Sequence, residues 1–184
     1  MPNAKLMLAT LAWMLMAPLA IAHDFGPEVG ASAPAFTASD QRGVERPLAS
    51  LTGERGLVLL ITRAADWCPY CQAQIIGLEG VRGEVEAQGW KLAVITTDTV
   101  DELARFGARR DISFPLLSDE RARIVRDFGL LDPTQPPSSR HNGLPVPTVL
   151  FLSPQGIVLA HLGDADYRVR PTPQTVLATL QTLR

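Results

Sequence analysis

The sequence predicts an α/β sandwich, in which β-strands and α-helices alternate along one chain. Continuous apolar, β-prone runs at residues 57–62 and 92–96 indicate two buried strands. Apolar residues at helical spacing predict a helix over about residues 69–88 between these strands, and a further helix is expected at residues 100–110. This βαβα order, followed by a hairpin and a helix, is the basis of the predicted fold class.

The remaining segments predict shorter elements. An Asp-Gln-Arg-Gly turn signal at residues 40–43 predicts a small edge hairpin within residues 36–51. Five prolines between positions 132 and 147 exclude regular structure there and predict an ordered connection or a lid. The other predicted elements are an extended piece at residues 114–118, a helix at 124–128 capped by Asp119, a hairpin of strands 148–152 and 157–161, and a last helix at 175–183.

The composition predicts a single globular domain. Of the 184 residues, 46% are hydrophobic and 20% are charged, as is usual for one domain with a sizeable core. The formal net charge is −2 and the isoelectric point is near 5.9. Since neither sign of charge forms a long run, nucleic acid and acidic membrane surfaces are not expected partners. The expected partners are protein or small-molecule thiols and disulfides.

The N-terminus has the pattern of a secretory signal peptide. Lys5 precedes an apolar run at residues 6–19, and small residues follow up to a cleavage site after Ala22. Pro18 should interrupt the apolar helix just before that site. The alternative is an uncleaved membrane anchor, because residues 6–22 could just cross a membrane as a helix.

Cleavage at this site would divide the chain into three parts. Residues 1–22 would be the signal peptide, residues 23–28 a flexible mature N-terminus, and residues 29–184 a single folded domain. The mature protein would be periplasmic or secreted, without stable insertion into a membrane. Disulfides persist in such compartments.

The two cysteines of the chain, Cys68 and Cys71, are separated by only two residues. A disulfide between them would close a very short loop, so it would stabilise the fold little through chain entropy. In thiol–disulfide exchange, by contrast, one thiolate attacks the substrate and a nearby second thiol resolves the mixed disulfide. The spacing therefore favours redox chemistry over a structural role.

The predicted helix assigns different roles to the two cysteines. Pro69 is suited to the first helical position, which places Cys68 at the N-cap, near free backbone N–H groups and the positive end of the helix dipole. This position should lower the thiol pKa of Cys68 below that of a free cysteine and make it the attacking nucleophile. Cys71, one turn later and on the apolar side, should be more buried and act as the resolving thiol. Trp67 is expected to shield the pair and to contact partner proteins.

The segment Trp67-Cys68-Pro69-Tyr70-Cys71 follows a buried strand, and Val146-Pro147-Thr148 enters a later one. Together these features resemble the thioredoxin superfamily. The resemblance implies a thioredoxin fold for residues 29–184, with a central mixed β-sheet and helices on both faces. It also implies a cis peptide bond at Pro147, with the Val146 backbone pairing with substrate. The substrate-binding candidates are Trp67, Pro69, Tyr70, Val146 and Pro147.

Three further segments, at residues 29–36, 114–119 and 167–171, resemble the redoxin branch that includes alkyl hydroperoxide reductases and thiol-specific antioxidants. This resemblance implies an alternative function, the reduction of peroxide, in which Cys68 becomes a sulfenic acid and then condenses with Cys71. The chain departs from the peroxiredoxin pattern at three positions. Ile61 and Ala65 stand where that family has proline and threonine, and its downstream arginine falls at Pro147.

Two other hypotheses accompany the prediction of an exported thiol–disulfide oxidoreductase. Cys68 and Cys71 could bind copper or zinc together with His141 or His161, in a protein that is not an enzyme. Arg63 and Asp66 could tune the pKa of Cys68 or relay a proton. No cofactor or metal is part of the main prediction.

A recycling redox partner is required, and in an oxidising periplasm a membrane-bound electron donor would keep the pair reduced. Reductant, oxidant and isomerase all stay open as directions.

Overall fold

The computed structural model of the protein describes residues 25–139 and 142–183. The predicted signal peptide at residues 1–22 lies outside the described residues, and so does His141. Of the mature N-terminus predicted to be flexible, residues 25–28 are described, and Phe25 packs half-buried against the core. No helix within the described ranges is both long enough and apolar enough to cross a membrane.

A five-stranded mixed sheet forms the centre of the fold, with the strand order β5-β4-β3-β6-β7. The middle strand, β3, is parallel to β4 and antiparallel to β6, while β5 is parallel to β4 and β7 is antiparallel to β6. The strands are β3 (Gly56–Ile61), β4 (Trp90–Thr96), β5 (Leu116–Ser118), β6 (Thr148–Leu152) and β7 (Val158–Gly163).

Two apolar clusters cover the two faces of this sheet. Val58 and Leu60 of β3 belong to one cluster, whereas Leu57, Leu59 and Ile61 belong to the other. This alternation follows from the opposite directions of successive side chains in a strand. All residues of β3 are buried, as predicted for a strand covered on both faces.

Helices supply the other half of each cluster. On the Val58 face these are α2 (Pro69–Ala87), α3 (Val100–Arg110) and α5 (Pro173–Thr182). On the Leu57 face they are α1 (Leu48–Leu51) and α4 (Arg123–Asp127), together with the antiparallel hairpin β1 (Thr37–Ser39) and β2 (Glu45–Pro47). The predicted architecture, a mixed sheet with helices on both faces, is therefore confirmed.

Local side-chain contacts begin two of these helices. Thr99 and Glu102 form a reciprocal capping box at the start of α3. Asp119 acts on α4 from a greater distance than predicted, because the N-cap position itself is Ala122 and the helix begins at Arg123. The two carboxylate oxygens of Asp119 accept N–H groups of Arg123 and Val125. They thus satisfy donors that a short helix leaves unpaired.

The proline-rich connection after α4 is an ordered structure where it is described. Leu131 and Pro145 form an antiparallel bridge, and the N–H of Asp132 donates to the carbonyl of Leu144 at 2.9 Å. The N–H of Val146 donates to the carbonyl of Leu130 at 2.8 Å. These bonds join the beginning and the end of the connection, so β6 starts at a fixed place beside β3.

Two glycine substitutions should change stability in opposite directions. Gly56 has φ +138°, and an added Cβ would lie 2.0 Å from the carbonyl oxygen of Leu152. Gly56→Ala should therefore lower the free energy of unfolding by about 3 kcal/mol or more. Gly80 lies inside α2, and nothing would lie within 4 Å of its added Cβ. Gly80→Ala should raise the same free energy by about 0.5 to 1 kcal/mol.

Denaturant unfolding of both variants tests this pair of expectations, with Gly80→Ala as the control for adding a methyl group. An unfolding midpoint for Gly56→Ala equal to that of the unmodified protein would contradict the close approach of β3 and β6.

Candidate active site

The cysteine pair lies where the chain leaves the central strand β3 and enters helix α2. Cys68 is the N-cap residue of α2 and Pro69 is its first residue, as the sequence predicts. The Sγ atom of Cys68 accepts the N–H of Cys71 at 3.3 Å. Cys68 and Cys71 are joined by a disulfide, with their Cα atoms 5.3 Å apart. The pair is thus placed where backbone N–H groups stabilise negative charge on sulfur.

The two sulfur positions differ in their access to solvent. Both cysteines are nearly inaccessible, with 2% of Cys68 and none of Cys71 exposed. Cys68, however, lines a surface cleft of about 350 Å³, whose other lining residues are Arg63, Trp67, Pro69, Tyr70, Gln135 and Tyr167. Because Cys71 lies behind Cys68, a molecule that enters this cleft reaches Cys68 first.

Aromatic rings and an arginine form the rim of this cleft. Tyr70 and Tyr167 meet edge to face, with ring centroids 5.9 Å apart. The guanidinium of Arg63 lies over the ring of Tyr167 at 4.3 Å and pairs with the carboxylate of Asp132 at 3.6 Å. Trp67 is half exposed beside Cys68. The cleft therefore offers flat apolar surfaces and one buried cation next to the disulfide.

On the inner side of the disulfide, a second arginine contacts Cys71. The Nη2 atom of Arg170 lies 3.6 Å from Cys71 Sγ, and the Thr62 hydroxyl donates to the same sulfur at 3.3 Å. Nη1 of Arg170 donates to the Thr62 hydroxyl at 2.9 Å and to the side-chain carbonyl of Gln74 at 2.8 Å. Burial, and then the nearby Arg63, lower the pKa of Arg170 to about 10, so its guanidinium stays charged at neutral pH.

These contacts to Cys71 were not found from the sequence. Arg170 is 99 residues away from Cys71 along the chain, and no periodic pattern links the two. In the sequence, the segment at residues 167–171 carries only a resemblance to redoxins. Thr62 and Gln74 were predicted as parts of a strand and a helix, without a role of their own. Tyr167 likewise becomes part of the site only through the fold.

A buried carboxylate supports the loop between β3 and the cysteines. Asp98 accepts the N–H of Ala65 and, at 3.4 Å, the N–H of Asp66. The Thr96 hydroxyl also donates to it, at 2.7 Å. Burial raises the pKa of Asp98, and these three hydrogen bonds oppose the rise. Asp98 thus fixes the backbone directly before the cysteine motif.

One expectation for Val146 and Pro147 is wrong. The peptide bond between them is trans, not cis. The N–H of Val146 is already bonded to Leu130, and its carbonyl accepts the Thr148 hydroxyl at 3.1 Å. Both backbone groups of Val146 that were expected to meet substrate are therefore already bonded, the N–H by the proline-rich connection and the carbonyl by Thr148. Substrate binding by Val146 and Pro147 stays a prediction, now without a free N–H on Val146.

The remaining candidates are distributed around the site. The Asp66 carbonyl accepts the side-chain amide of Gln72 at 2.9 Å, so this residue helps to anchor the loop. His161 lies on β7, paired in register with Leu150. Within residues 25–139 and 142–183, no group of three or more His, Cys, Asp or Glu side chains could hold a metal ion. The metal hypothesis that involves His141 lies outside the described residues.

The fold and the site together define the class of protein. A mixed sheet with helices on both faces, and a cysteine pair at the N-terminus of the helix after the central strand, are the features of a thioredoxin-fold redox enzyme. The comparison with protein families is more specific. The chain belongs to the AhpC/TSA family, whose model matches residues 29–161.

A relative found by sequence agrees with this assignment, and solved structures agree with the fold. Peroxiredoxin Bcp of Escherichia coli strain K12 is 33% identical over 103 residues, which are 56% of this chain and 65% of that protein. The alignment thus spans slightly less than two thirds of that relative. The crystal structure of peroxidoxin BcpB from Mycobacterium tuberculosis matches with a TM-score of 0.72 at 24% identity, over 88% of this chain and 99% of that one.

Another solved structure, peroxiredoxin Q of Xanthomonas campestris, has a TM-score of 0.68 at 22% identity and covers 81% of this chain and 92% of its own. At such low identities, the likeness to both structures establishes the fold alone. The family match, over residues 29–161, is therefore what assigns the chain to the AhpC/TSA family.

The raised pKa of Asp98 predicts how stability depends on pH. An acid whose pKa is raised in the folded state stabilises the fold fully below its ordinary pKa, near 3.8, and loses that contribution as pH rises through the folded-state pKa. We expect Asp98→Asn to remove this pH dependence, because asparagine does not titrate. As pH rises from about 4, the free energy of unfolding of the unmodified protein should therefore fall relative to that of the variant.

Urea unfolding of both proteins over a series of pH values measures this difference. Asp101→Asn, on the exposed first turn of α3, is the control for removing one carboxylate. A difference between the Asp98 variant and the unmodified protein that stays constant with pH would contradict the expectation.

Proposed function

We propose that the protein is a thiol-dependent peroxide reductase that cycles its cysteine pair between dithiol and disulfide. The observation that carries this proposal is the Cys68–Cys71 pair at the start of α2, open to a cleft through Cys68. Membership of the AhpC/TSA family supports peroxide as the oxidant, and so does the name of the relative peroxiredoxin Bcp.

In the oxidative half of the cycle, the Cys68 thiolate attacks one oxygen of the peroxide. The O–O bond breaks, Cys68 becomes a sulfenic acid, and the second oxygen leaves as water or alcohol after it takes up a proton. The Cys71 thiolate then attacks the sulfur of Cys68 and forms the disulfide, and the sulfenic hydroxyl leaves as water after it takes up a proton. The Cα separation of 5.3 Å places the second thiol within reach of the first.

The reductive half requires two electrons from an external thiol partner. A thiolate of this partner attacks Cys68 Sγ from the cleft, and Cys71 leaves as a thiolate. A second thiol of the partner then releases Cys68 and leaves the partner oxidised. A dithiol protein is the partner class that supplies both thiols. The flat surfaces of Trp67 and Tyr70, both exposed at the rim of the cleft, provide a contact area for it.

A second candidate function is thiol–disulfide exchange without peroxide. The observation that favours it is the spacing of two residues between the cysteines, combined with Ile61, Ala65 and Pro147 at positions where peroxiredoxins have proline, threonine and arginine. Here Cys68 attacks a substrate disulfide and releases one thiol, and Cys71 then displaces the second thiol as the pair becomes oxidised. The substrate gains the two electrons that the pair loses.

Paired assays distinguish the two functions. With a dithiol reductant present, we expect the mature protein to consume hydrogen peroxide, and we expect Cys68→Ser to lose this turnover completely because no nucleophile faces the cleft. Cys71→Ser should complete one oxidation per molecule and then stop at a sulfenic acid, which a dimedone-type reagent traps. The double variant is the control for uncatalysed oxidation.

Two other outcomes of these assays would contradict the first function or the roles assigned to the cysteines. Reduction of an insulin-type disulfide that depends on Cys68, with peroxide consumed no faster than by the double variant, would replace the first function by the second. Peroxide turnover that survives Cys68→Ser but not Cys71→Ser would contradict the assigned order of attack.

We propose further that the protein is exported and cleaved after Ala22. The support is the apolar run at residues 6–19 behind Lys5, together with the small residues before the cleavage site. In the periplasm, the recycling partner would need electrons from the cytoplasm, and a membrane-bound donor would supply them.

Expression of the full chain in a Gram-negative host tests export. The expected result is a periplasmic protein whose N-terminal sequence begins at His23, whereas Ala20→Leu with Ala22→Leu should leave the precursor uncleaved. Recovery of the uncleaved chain from the cytoplasm would contradict export, and recovery from the membrane would favour the anchor.

A further inference from the structure

We propose that Arg170, together with Thr62, holds Cys71 as a thiolate whenever the disulfide is open. Arg170 is thus a positioning residue for the second cysteine, supplied by the segment between β7 and α5. The inference deepens the proposed function, because both candidate reactions use Cys71 as the thiol that leaves or attacks second. It concerns the sulfur behind the cleft, whereas the helix N-terminus acts on Cys68.

The geometry brings two donors to one buried sulfur. The guanidinium of Arg170 approaches Cys71 Sγ at 3.6 Å and the Thr62 hydroxyl at 3.3 Å. Cys71 itself has no exposed surface, so water does not stabilise a charge at this sulfur. A thiolate formed there would therefore depend on these two donors.

The donors are held in place by each other and by the helix. Arg170 donates to the Thr62 hydroxyl, which leaves the hydroxyl proton free to point at the sulfur. Arg170 also donates to the side-chain carbonyl of Gln74 on α2, and this second hydrogen bond fixes the orientation of the guanidinium. Gln74 is buried and lies three residues after Cys71 in α2. The contact between Arg170 and the Cys71 sulfur is thus part of a hydrogen-bond network that also includes Thr62 and Gln74 and that depends on Arg170.

The groups around Arg170 leave its positive charge available to the Cys71 sulfur. Burial lowers its pKa to about 10, which still leaves it protonated at neutral pH. The charged or titratable groups that line the two clefts beside it are Arg63, Tyr70, Tyr167 and Cys68 on one side and His161 and Asp164 on the other. Arg63 adds a second positive charge, paired with Asp132. Among the described residues, no carboxylate that lines either cleft forms an ion pair with Arg170.

This arrangement changes the chemistry of disulfide opening. When an external thiolate attacks Cys68 Sγ, the S–S bond breaks and its electron pair passes to Cys71 Sγ. A thiol that leaves as a stabilised thiolate leaves faster and makes the dithiol state more stable. The pair should therefore be a stronger oxidant than the same cysteines without Arg170. Arg170 lies beyond residues 29–161, the part of the chain that the family model matches.

Titration of the single thiol tests the inference without any enzymatic assay. In a Cys68→Ser protein, the ultraviolet absorbance of the Cys71 thiolate is followed against pH, with and without Arg170→Gln. We expect the pKa of Cys71 to rise by about one unit or more in the variant, because a cation near a thiolate lowers its pKa by one to three units. Arg170→Lys should restore most of the shift, since it keeps the charge.

The matched control is Arg168→Gln, which removes an equal charge two residues away, where Arg168 pairs with Asp166 on the surface. It should leave the pKa of Cys71 unchanged. Thr62→Val removes the other donor and should raise the pKa by a smaller amount. If Arg170→Gln, folded as judged by its near-ultraviolet circular dichroism, left the pKa of Cys71 unchanged, the inference would be overturned.

The same variant in the two-cysteine protein gives a second readout. If Arg170→Gln makes the equilibrium between dithiol and disulfide tenfold less favourable to the dithiol, the reduction potential of the pair should become about 30 mV more negative. This difference should vanish at acid pH, where Cys71 is a neutral thiol in both proteins. A potential that does not respond to Arg170→Gln at any pH would also overturn the inference. Neither result depends on whether peroxide or a disulfide is the substrate, so the proposed function is tested separately.

Discussion

The complete burial of β3 is the constraint on which the site depends. Because both faces of this strand pack against apolar clusters, the C-terminal end of β3 is held in one position within the sheet. The chain must leave the sheet there and turn into α2, and the turn brings Cys68 to the N-cap. The reactive position is thus set by packing that involves neither cysteine.

The turn between strand and helix contains no regular backbone ladder of its own, so other groups must support it. Asp98, at the end of the neighbouring strand β4, accepts the N–H groups of Ala65 and Asp66, and the Thr62 N–H donates to the Ile95 carbonyl at 2.9 Å. The position of the cysteines is therefore coupled to β4 through a buried carboxylate. The raised pKa of Asp98 reflects the desolvation that accompanies this role.

The two sides of the disulfide differ in chemistry. Outside, Cys68 borders a cleft with tyrosine rings and the buried Arg63, where a substrate or partner can approach. Inside, the described donors that contact the Cys71 sulfur are the Thr62 hydroxyl and the Arg170 guanidinium. A nucleophile needs access, whereas a leaving thiolate needs stabilisation without access. The fold provides each condition on the side where the proposed cycle requires it.

The sequence by itself determined most of the elements and the nucleophilic motif, although it did not indicate the short helix α1. The apolar runs and periodicity predicted the strands, the two long helices and the terminal hairpin to within a few residues, because these patterns reflect burial that each segment needs independently of its partners. The Cys68-Pro69 step predicted the N-cap, because proline at the first helical position is a local property of the backbone.

Only the tertiary structure decided what surrounds the cysteines. Arg170 reaches Cys71 across 99 residues, and such a contact follows from how β7 and α5 fold back over the sheet, which leaves no periodic trace in the sequence. The backbone of Val146 was assigned to substrate from resemblance, yet the chain pairs it with Leu130 to close the proline-rich connection. Local patterns specify what a segment buries, whereas long-range packing specifies which neighbour it meets.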